Sequence, residues 1–489
     1  MNGHYASLLH ALLPEASLVL GALLVLGFDL FSGRRNSASA RLSASVIIGL
    51  LAIAAAAYHA CDAGVGGNAF KGVLVLDSLG LMTRLGALGL AALTLAMAPG
   101  VVRLRHPAEY VAVVLFATTG FTLMAVVQQL LVAFLAIELA SLSLYILAGF
   151  DKHRPESAEA GLKYFLFGGI SAAFLLFGFS LIYGLTGSIE FTEIARQLQV
   201  TQGNTLLVVA LVMILVAFGF KAAAAPFHLW APDVYQGAPA SSAALIASAS
   251  KLAGFTLFVR LFWAGFGPVA GGTGLTTLPG WIPAFVIVAV VSLVLGNIAA
   301  LAQTSVRRIL AYSAIAHAGA LLLGVLVAGR FGPASLYFYA ATYGLATVGA
   351  FGVIAVVERA GRCDDLGDLA GLYRRSPLLA LCLLVFVLSL AGIPPLAGFF
   401  GKFFVFSQAL KLSGLAGTAG WVALLAIAMS AVALYYYMLI LKQAIVVAPR
   451  PAAESAIKVP TPAAAVLVLT ATLLVLLGVF PSLVLQLIH

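Results

Sequence analysis

The stretch that decides the fold, residues 218–239, reads FGFKAAAAPFHLWAPDVYQGAP. Residues 206–220 before it are almost entirely aliphatic, so Lys221 lies where a membrane helix should be deepest. Pro226 follows five residues later and removes a backbone donor, which predicts a break beside the charge. An ionisable residue at such a break is costly and is found mainly in enclosed or hydrated cavities, so it indicates a functional site. The alternative is a lysine whose ammonium reaches the membrane interface.

Composition predicts the same class of protein. Of the 489 residues, 63% are hydrophobic and 9% are charged, and the mean hydropathy is +1.11. A soluble domain is about half apolar and about a quarter charged, so we predict an all-α, polytopic membrane protein. The net charge of +9 does not indicate nucleic-acid binding, because the basic residues lie singly or in pairs between apolar runs.

The cysteines do not form a metal-binding or redox motif. Cys61, Cys363 and Cys382 are isolated, without CxxC or metal-ligand spacing. We therefore predict no redox centre, no metal site and no bound cofactor on this chain.

Long apolar runs separated by charged or Gly/Pro-rich breaks predict about fourteen transmembrane helices. They cover residues 8–30, 40–60, 74–98, 108–127, 130–150, 160–185, 205–231, 240–264, 281–302, 306–328, 334–357, 377–410, 420–446 and 461–487.

The basic residues of the loops predict the orientation. One side of the membrane receives sixteen: Arg34, Arg35, Arg41, Arg103, Arg105, Lys152, Arg154, Arg307, Arg308, Arg359, Arg362, Arg374, Arg375, Lys442, Arg450 and Lys458. The other side receives five: Lys71, Arg196, Arg260, Arg330 and Lys411. By the positive-inside rule the first side faces the cytoplasm, so both termini, including His489, are expected outside.

The spans also predict an internal repeat. Spans four to eight and nine to thirteen form two groups of five, and an odd number of helices inverts the second copy in the membrane. The fourth helix of the first group holds Lys221, and that of the second reads LAGIPPLAGFFGKFFVF, with Pro394, Pro395 and Lys402. We predict a three-helix segment (1–107), two inverted five-helix repeats that each contain a broken helix (108–264 and 279–447), and a C-terminal helix (448–489).

Glu138 is the acidic residue deepest in an apolar span. It lies in LVAFLAIELASLSLYIL, where an unpaired carboxylate would be very costly. Lys163 and Lys221 are the candidate partners, and movement of the carboxylate would switch a lysine between its charged and neutral forms. The alternative is a static ion pair of Glu138 with Lys163.

Three other titratable residues lie within predicted spans. Lys251 lies ten residues into its span, with the membrane interface as its alternative destination. His228 follows Lys221 by seven residues and would share its helix face if the break were mild. His317 could pass protons in either direction as a neutral imidazole. Each histidine could equally be a hydrogen-bonded core residue.

We expect the remaining intramembrane and loop charges to be structural. Arg84 and Asp77 are expected to form interface or inter-helix contacts. Asp233, which follows Pro232, is expected to be a cap or turn residue, and Glu190 and Glu193 should lie on an exposed short helix.

Several motifs together resemble one known family. They are FLAIELASLSLY, KYFLFGG, FKAAAAPFHLWAPDVYQGAP, SASKLAG, AYSAIAHAG and GIPPLAGFFGK. The chain resembles, over nearly its whole length, the antiporter-like subunits of the proton-pumping NADH:quinone oxidoreductase, respiratory complex I. The resemblance implies that Glu138 and Lys221 are the coupled pair, Lys163 and Lys251 the connecting lysines, and Lys402 the terminal lysine of the second half-channel. His228 and His317 would be the intervening histidines.

Three related subunits of that complex share this core. The largest continues into a lateral helix, whereas this chain is expected to stop just beyond its fourteenth span. The middle one usually has a glutamate where Lys402 stands, so the chain most resembles the third. Its implied partners are the antiporter-like subunit M, small membrane subunits and lipids in a bacterial inner membrane, with NAD, FMN, iron–sulfur clusters and quinone held by partner subunits. A subunit of a cation/proton antiporter or of a hydrogenase-linked module is the alternative, because both share these lysines.

Overall fold

The computed structural model describes residues 2–31, 37–69, 72–101, 105–200, 204–271, 280–361, 363–449 and 455–488. Seven residues used to predict the orientation lie outside these ranges: Arg34, Arg35, Lys71, Arg103, Arg362, Arg450 and His489. The boundary predicted at residue 279 lies outside them as well.

The N-terminal part contains helices and one short hairpin. Its elements are α1 (Asn2–Ala11), α2 (Leu13–Phe31), α3 (Ala38–Ala63), β1 (Gly67–Ala69), β2 (Leu74–Leu76) and α4 (Ser78–Met97). The two strands pair antiparallel, with Gly67 opposite Leu76. The first residues of the predicted span 74–98 therefore form strand β2, and the span is helical only from Ser78.

The first predicted five-helix group is interrupted twice. Its elements are α5 (Pro107–Met124), α6 (Leu130–Ala148), α7 (Pro155–Thr186), α8 (Phe191–Leu198), α9 (Thr205–Ala222), α10 (Trp230–Gly237), α11 (Ala240–Ala247) and α12 (Ala249–Val259). A π-helical turn (Arg260–Gly265) and a 3₁₀ turn (Gly267–Val269) follow α12.

The second group and the C-terminal part complete the bundle. Their elements are α13 (Trp281–Leu301), α14 (Val306–Phe331), α15 (Ala334–Ala360), a 3₁₀ turn (Leu366–Leu369), α16 (Leu372–Arg375), α17 (Pro377–Ala391), α18 (Ala397–Ser413), α19 (Thr418–Leu441), a π turn (Lys442–Val446), α20 (Thr461–Val479), α21 (Ser482–Leu485) and a last 3₁₀ turn (Gln486–Ile488).

The predicted spans agree with these helices. Among the described residues, 13 helices are long and apolar enough to cross a membrane, and the shorter apolar helix α17 adds to them. The predicted span 377–410 is the pair α17 and α18. Other helices bury three of the spans almost completely: α14, α15 and the pair α11–α12. In contrast, α2, α7 and α20 present most of their surface outward. The chain is therefore a multi-pass, all-α membrane protein with a protein-enclosed centre.

The first predicted break lies where the sequence placed it. Helix α9 ends at Ala222, and Ala223 adopts a left-handed conformation with φ of 56°. The backbone N–H of Ala225 donates to Ser292 Oγ on α13 at 2.8 Å, and Trp230 Nε1 donates to the Phe220 carbonyl at 3.1 Å. These two bonds satisfy backbone groups that the break releases.

The second predicted break separates α17 from α18. Gly392 has φ of 87°, a conformation that glycine adopts without the steric cost of a side chain. Pro394 and Pro395 follow, and α18 begins at Ala397. The carbonyls of the last turn of α17 are therefore left for other donors.

A third interruption was not expected from the sequence. The predicted span 240–264 is two short helices that meet at Ser248, whose φ and ψ are −112° and −83°. The Ser248 hydroxyl donates to the Ala244 carbonyl at 2.6 Å and so competes with the helix for that acceptor. The break lies three residues before Lys251.

Two groups of loops define the ends of the bundle. At one end, the backbones of Ser305 and Asp365 pair. Helix α7 begins at the same end, as the ion pair between its N-cap residue Arg154 and Glu358 shows. We call this the arginine-rich end. At the other end, Leu74 pairs with Val127, and Gln129 pairs with Glu190.

Candidate functional site

Glu138 and Lys221 meet between α6 and α9. Glu138 is half-buried, and its carboxylate interacts electrostatically with the buried Lys221 ammonium. Lys221 Nζ donates a hydrogen bond to Ser141 Oγ at 3.2 Å. Ser141 lies three residues after Glu138, so both residues present to the same side of α6. The ammonium thus has a charged and a neutral partner one helical turn apart.

The stem of Lys221 continues the site toward Lys251. A Cβ added at Gly254 would lie 3.7 Å from Lys221 Cγ, so the lysine stem passes over Gly254 on α12. Lys251, three residues earlier on α12, is 3% exposed. Its Nζ donates to the Ala314 carbonyl on α14 at 2.5 Å and lies 5.4 Å from the centre of the Tyr343 ring.

His317 lies one turn after Ala314 on α14. Its Nδ1 is hydrogen-bonded to the Tyr339 hydroxyl at 2.7 Å, and its Nε2 is 3.3 Å from the Tyr437 hydroxyl. Tyr437 is itself hydrogen-bonded to Ser313. Both ring nitrogens therefore face groups that can donate or accept, which suits either tautomer.

Lys402 lies on α18, directly after the second helix break. Its Nζ donates to the carbonyls of Leu390 and Ala391, each at 3.0 Å. These are orphan carbonyls at the C-terminus of α17, where the helix dipole favours a cation. His317 interacts electrostatically with Lys402 and Lys251 and also lies near the Leu390 carbonyl.

A small cavity separates His317 from Lys402. Its volume is about 20 Å³. Its polar lining consists of Asn297, His317, Tyr339, Lys402, Ser430 and Tyr436. Tyr436 donates to Asn297 Oδ1 at 3.0 Å, so these two groups are held in place. A cavity of this volume with several polar partners can hold one water molecule.

The structure thus brings Glu138, Lys221, Lys251, His317 and Lys402 into one line that crosses four helix contacts. The line joins the first broken helix to the second. Burial of so many ionisable groups is expensive in a membrane protein and is typical of proton and ion pathways.

Lys163 does not belong to this line, contrary to the prediction from sequence. Its ammonium lies 2.6 Å from Glu159 and 2.6 Å from Asp233, and 37% of its side chain is exposed. It is therefore not the partner of Glu138, and the alternative of a static Glu138–Lys163 pair is also wrong. The reason is that Lys163 lies on the face of α7 that packs against α10, which sequence spacing does not reveal.

Asp233 was expected to be a cap or turn residue and is instead the centre of an ion-pair network. It lies on α10 and accepts hydrogen bonds from Lys163 at 2.6 Å and from Arg308 at 2.8 Å. Burial acts to raise the pKa of Asp233, but the hydrogen bonds from Lys163 and Arg308 outweigh it and hold the pKa below its usual value. The network ties α7, α10 and α14 together at the arginine-rich end.

A second network at this end joins the two predicted repeats. Glu358 on α15 accepts from Arg154 at 2.6 Å and also pairs with the fully buried Arg307. Arg307 donates to the carbonyls of Gln236 and Ala238, each at 2.9 Å. Some arginines assigned to loops are therefore internal contacts.

His228 lies in the connection between α9 and α10, not on a helix face shared with Lys221. The break is too sharp for that, because α9 ends six residues before His228. His228 is 7% exposed, and its Nδ1 is buried without a hydrogen-bond partner in the described part of the chain. The structure does not join it to the line.

The expectation that Arg84 and Asp77 are structural is confirmed. Arg84 is 3.0 Å from Glu15 and donates to the Ala11 carbonyl, and Asp77 is 2.5 Å from Arg260. Glu190 and Glu193 lie at the start of α8, as expected, although its apolar face is buried under the bundle.

Sequence reasoning missed the neutral polar residues of the line. Ser141 contacts Lys221, Tyr339 and Tyr437 contact His317, and Asn297 and Tyr436 line the cavity. Two signals could have found some of them. Ser141 lies one turn from Glu138, and the run LYYYM interrupts an aliphatic span with three hydroxyl-bearing rings.

The described residues offer no group of three or more His, Cys, Asp or Glu side chains close enough to hold a metal ion.

Fold and site define a class, that of polytopic membrane subunits with lysines buried at broken helices. The family model described as "NADH:quinone oxidoreductase/Mrp antiporter, TM" matches residues 127–429. A relative from Acidobacterium capsulatum, named NADH-quinone oxidoreductase subunit N 2, is 46% identical over 99% of this chain and 98% of its own length. The chain belongs to this family and groups with its NADH-quinone oxidoreductase subunit N members.

Two solved structures have the same fold. A chain of respiratory complex I from Thermus thermophilus is 34% identical, with a TM-score of 0.79 over 97% of this chain and 98% of that one. A chain of the Mrp complex from a Dietzia species has a TM-score of 0.80 over 98% of this chain and 96% of that one, at 22% identity. The second likeness shows the shared fold alone.

Proposed function

We propose that this chain carries protons across the membrane as a subunit of an NADH-quinone oxidoreductase, through Glu138, Lys221, Lys251, His317 and Lys402. One observation supports this most: Lys221 interacts with Glu138, its stem passes over the helix that carries Lys251, and His317 interacts with both Lys251 and Lys402 and shares a water-sized cavity with Lys402. A purely structural role would not require so many buried charges in a row.

The switch proposed for the first half is the pair Glu138 and Lys221. The Lys221 ammonium is favoured while the carboxylate is near, and the neutral amine is favoured when the carboxylate moves away or is protonated. The hydroxyl of Ser141 offers a neutral partner in either state. A proton that leaves Lys221 passes toward Lys251 on α12.

The second half receives the proton at His317. An imidazole that takes a proton at one nitrogen can release the proton of the other, which advances the charge by the width of the ring. A water in the 20 Å³ cavity would complete the connection to Lys402. Lys402 is held by helix-end carbonyls, which stabilise its charged form while it waits to release the proton.

The energies involved are compatible with this role. One elementary charge crossing 100 mV requires about 2.3 kcal/mol. A buried charge that gains or loses a partner changes its free energy by several kcal/mol, so movement of one carboxylate can supply work of this size.

We also propose which partner subunits, cofactors and membrane surround the chain. NAD, FMN, iron–sulfur clusters and quinone would be bound by partner subunits, so that the chain acts as part of a translocase without its own redox centre. Its partners would be the antiporter-like subunit M, small membrane subunits and lipids of the bacterial inner membrane. Residues 108–264 and 279–447 would be inverted repeats, with the arginine-rich end in the cytoplasm. The relatives at up to 46% identity favour this setting over a cation/proton antiporter.

The test replaces Lys221 by alanine in the assembled complex. Lys221→Ala should lower NADH-driven proton uptake and NADH oxidation together, because a coupled machine cannot turn over with its transport step blocked. Both rates are measured in reconstituted vesicles, with assembly checked by the amount of complex recovered. Lys411→Ala is the matched control, because Lys411 is an exposed lysine at the end of α18.

Wild-type rates for Lys221→Ala would show that this lysine is structural and that the proposal is wrong. Copurification with sodium/proton antiport activity, without NADH oxidation, would instead support the antiporter alternative.

A further inference from the structure

A cleft opens between α5, α6 and α7 at the arginine-rich end of the bundle. Its volume is about 570 Å³. It is lined by the start of α5, the last turns of α6 and the first turns of α7. The proposed function does not use it.

The mouth of the cleft is polar. His106 and Glu109 lie 3.3 Å apart across the first turn of α5, and their side chains are 53% and 47% exposed. Lys152, in the loop between α6 and α7, also lines the cleft and is exposed. Groups of this kind hold water and exchange protons with it.

The inner end of the cleft reaches Tyr145 on α6. The Tyr145 hydroxyl lies against Gly168 on α7, since a Cβ added at Gly168 would be 1.9 Å from it. Glycine at 168 is therefore what allows the hydroxyl to enter the contact between α6 and α7. The same hydroxyl interacts with the Ser141 hydroxyl, one turn back along α6.

Ser141 accepts a hydrogen bond from Lys221, so the cleft connects to the proposed site by two hydroxyl groups. Tyr145 and Glu138 are seven residues apart on α6, or about 10 Å along the helix. That distance is too long for one transfer, and the hydroxyls of Tyr145 and Ser141, one turn apart on the same face of α6, lie between its two ends.

The other polar connection at this end does not reach the site. Lys163 and Arg308 both bind Asp233. The Lys163 ammonium is held by two carboxylates, Glu159 and Asp233. These charged groups are therefore paired with one another and not with Glu138 or Lys221.

We propose that this cleft is a hydrated proton entrance to the first half of the path, and that Tyr145 is its relay residue. The Tyr145 hydroxyl accepts a proton from a cleft water and releases its own proton toward Ser141, so neither hydroxyl changes its net protonation. Ser141 passes a proton in the same way to the Glu138–Lys221 pair. This inference rests on the proposed function.

The first experiment removes the relay hydroxyl. Tyr145→Phe keeps the ring and its packing, and Gly168→Ala keeps Tyr145 but displaces its hydroxyl. Each should lower NADH-driven proton uptake of the reconstituted complex about a hundredfold, the lower end of the range for loss of a proton-transfer group. Tyr183→Phe, an exposed tyrosine on the far part of α7, is the control.

The second experiment blocks the cleft itself. In a Cys61→Ser background, Ala158→Cys places an exposed thiol on the cleft wall. A charged methanethiosulfonate reagent should react with it in the purified complex and abolish most of the proton uptake after reconstitution. His153→Cys, in the adjacent loop but outside the cleft lining, should react without that loss.

The inference is wrong if Tyr145→Phe retains wild-type uptake, if labelled Ala158→Cys retains it, or if the Ala158→Cys thiol does not react at all. Lys221→Ala separates the two proposals. Loss of uptake in Lys221→Ala with normal Tyr145→Phe refutes only the entrance, whereas normal uptake in Lys221→Ala refutes the proposed function.

Discussion

Two lysines of the line, Lys251 and Lys402, donate to uncharged carbonyl oxygens. Lys251 donates to a helix carbonyl, and Lys402 donates to two. A hydrogen bond to a carbonyl oxygen stabilises an ammonium less than a hydrogen bond to a carboxylate does. An ammonium held by carbonyls therefore loses its proton at a lower free-energy cost. Lys163 shows the contrast, because two carboxylates hold it in its charged form.

Two substitutions of Glu138 separate the effect of its charge from the effect of its side-chain length. Glu138→Gln removes the carboxylate that stabilises the Lys221 ammonium and should lower proton uptake and NADH oxidation about tenfold or more. Glu138→Asp keeps the charge on a shorter arm and should be milder. Both rates are measured in vesicles that contain the whole complex. Equal and unchanged rates in the two variants would contradict a role for the charge.

Asp233 gives a prediction on pH. Its pKa is below the usual value, so its ion pairs contribute stability above the unfolded pKa of about 4, and this contribution is lost as the pH falls through the folded pKa. Asp233→Asn should therefore lower the melting temperature of the detergent-solubilised protein near pH 7, and the difference should shrink as the pH falls below about 4. A constant difference across this range would show that the pairing is not the cause.

At the scale of elements, two of the three helix breaks contain a residue in the left-handed backbone conformation, and the type of that residue differs between them. Gly392 meets the requirement without strain, whereas Ala223 places a side chain in a conformation that costs about 1–2 kcal/mol. The break at Ser248 uses a different device, a hydroxyl that competes for a helix carbonyl. All three breaks lie close to a lysine of the line.

This difference predicts opposite effects of the two reciprocal substitutions. Gly392→Ala should destabilise the protein by about 1–2 kcal/mol, and its Cβ would lie 3.1 Å from Lys402 Cδ, so uptake should fall as well. Ala223→Gly should be neutral or stabilising by up to about 1 kcal/mol. Ala222→Gly, one residue earlier in the helix, is the control and should cost about 0.5–1 kcal/mol. The check is thermal unfolding in detergent, and the same sign for Gly392→Ala and Ala223→Gly would contradict it.

At the scale of the whole molecule, the line lies where the two predicted repeats meet. Lys251 of the first group donates to α14 of the second, and the networks around Asp233 and Glu358 join the same two groups at the arginine-rich end. A movement of one group against the other would therefore act on the ion pairs and on the proton path together.

The orientation is predicted from the loop charges. In the Cys61→Ser background, His153→Cys at the arginine-rich end and Gln199→Cys after α8 are both exposed. A membrane-impermeant maleimide added to intact cells should label Gln199→Cys and leave His153→Cys unlabelled until the membrane is opened. Labelling of His153→Cys in intact cells would reverse the orientation.

The sequence by itself determined the class of fold, the number of spans, two of the three breaks and five residues of the line. It could do so because long apolar runs, prolines and isolated charges act locally, through the cost of burying backbone and charge in a membrane. The tertiary structure alone decided which charges meet. It paired Lys163 with Asp233 instead of Glu138, placed His228 in the connection after the break, and placed Ser141 against Lys221 and Tyr339 and Tyr437 against His317. Partners of this kind depend on which helix faces pack together, and residues 22 to 120 positions apart carry no local signal of that packing.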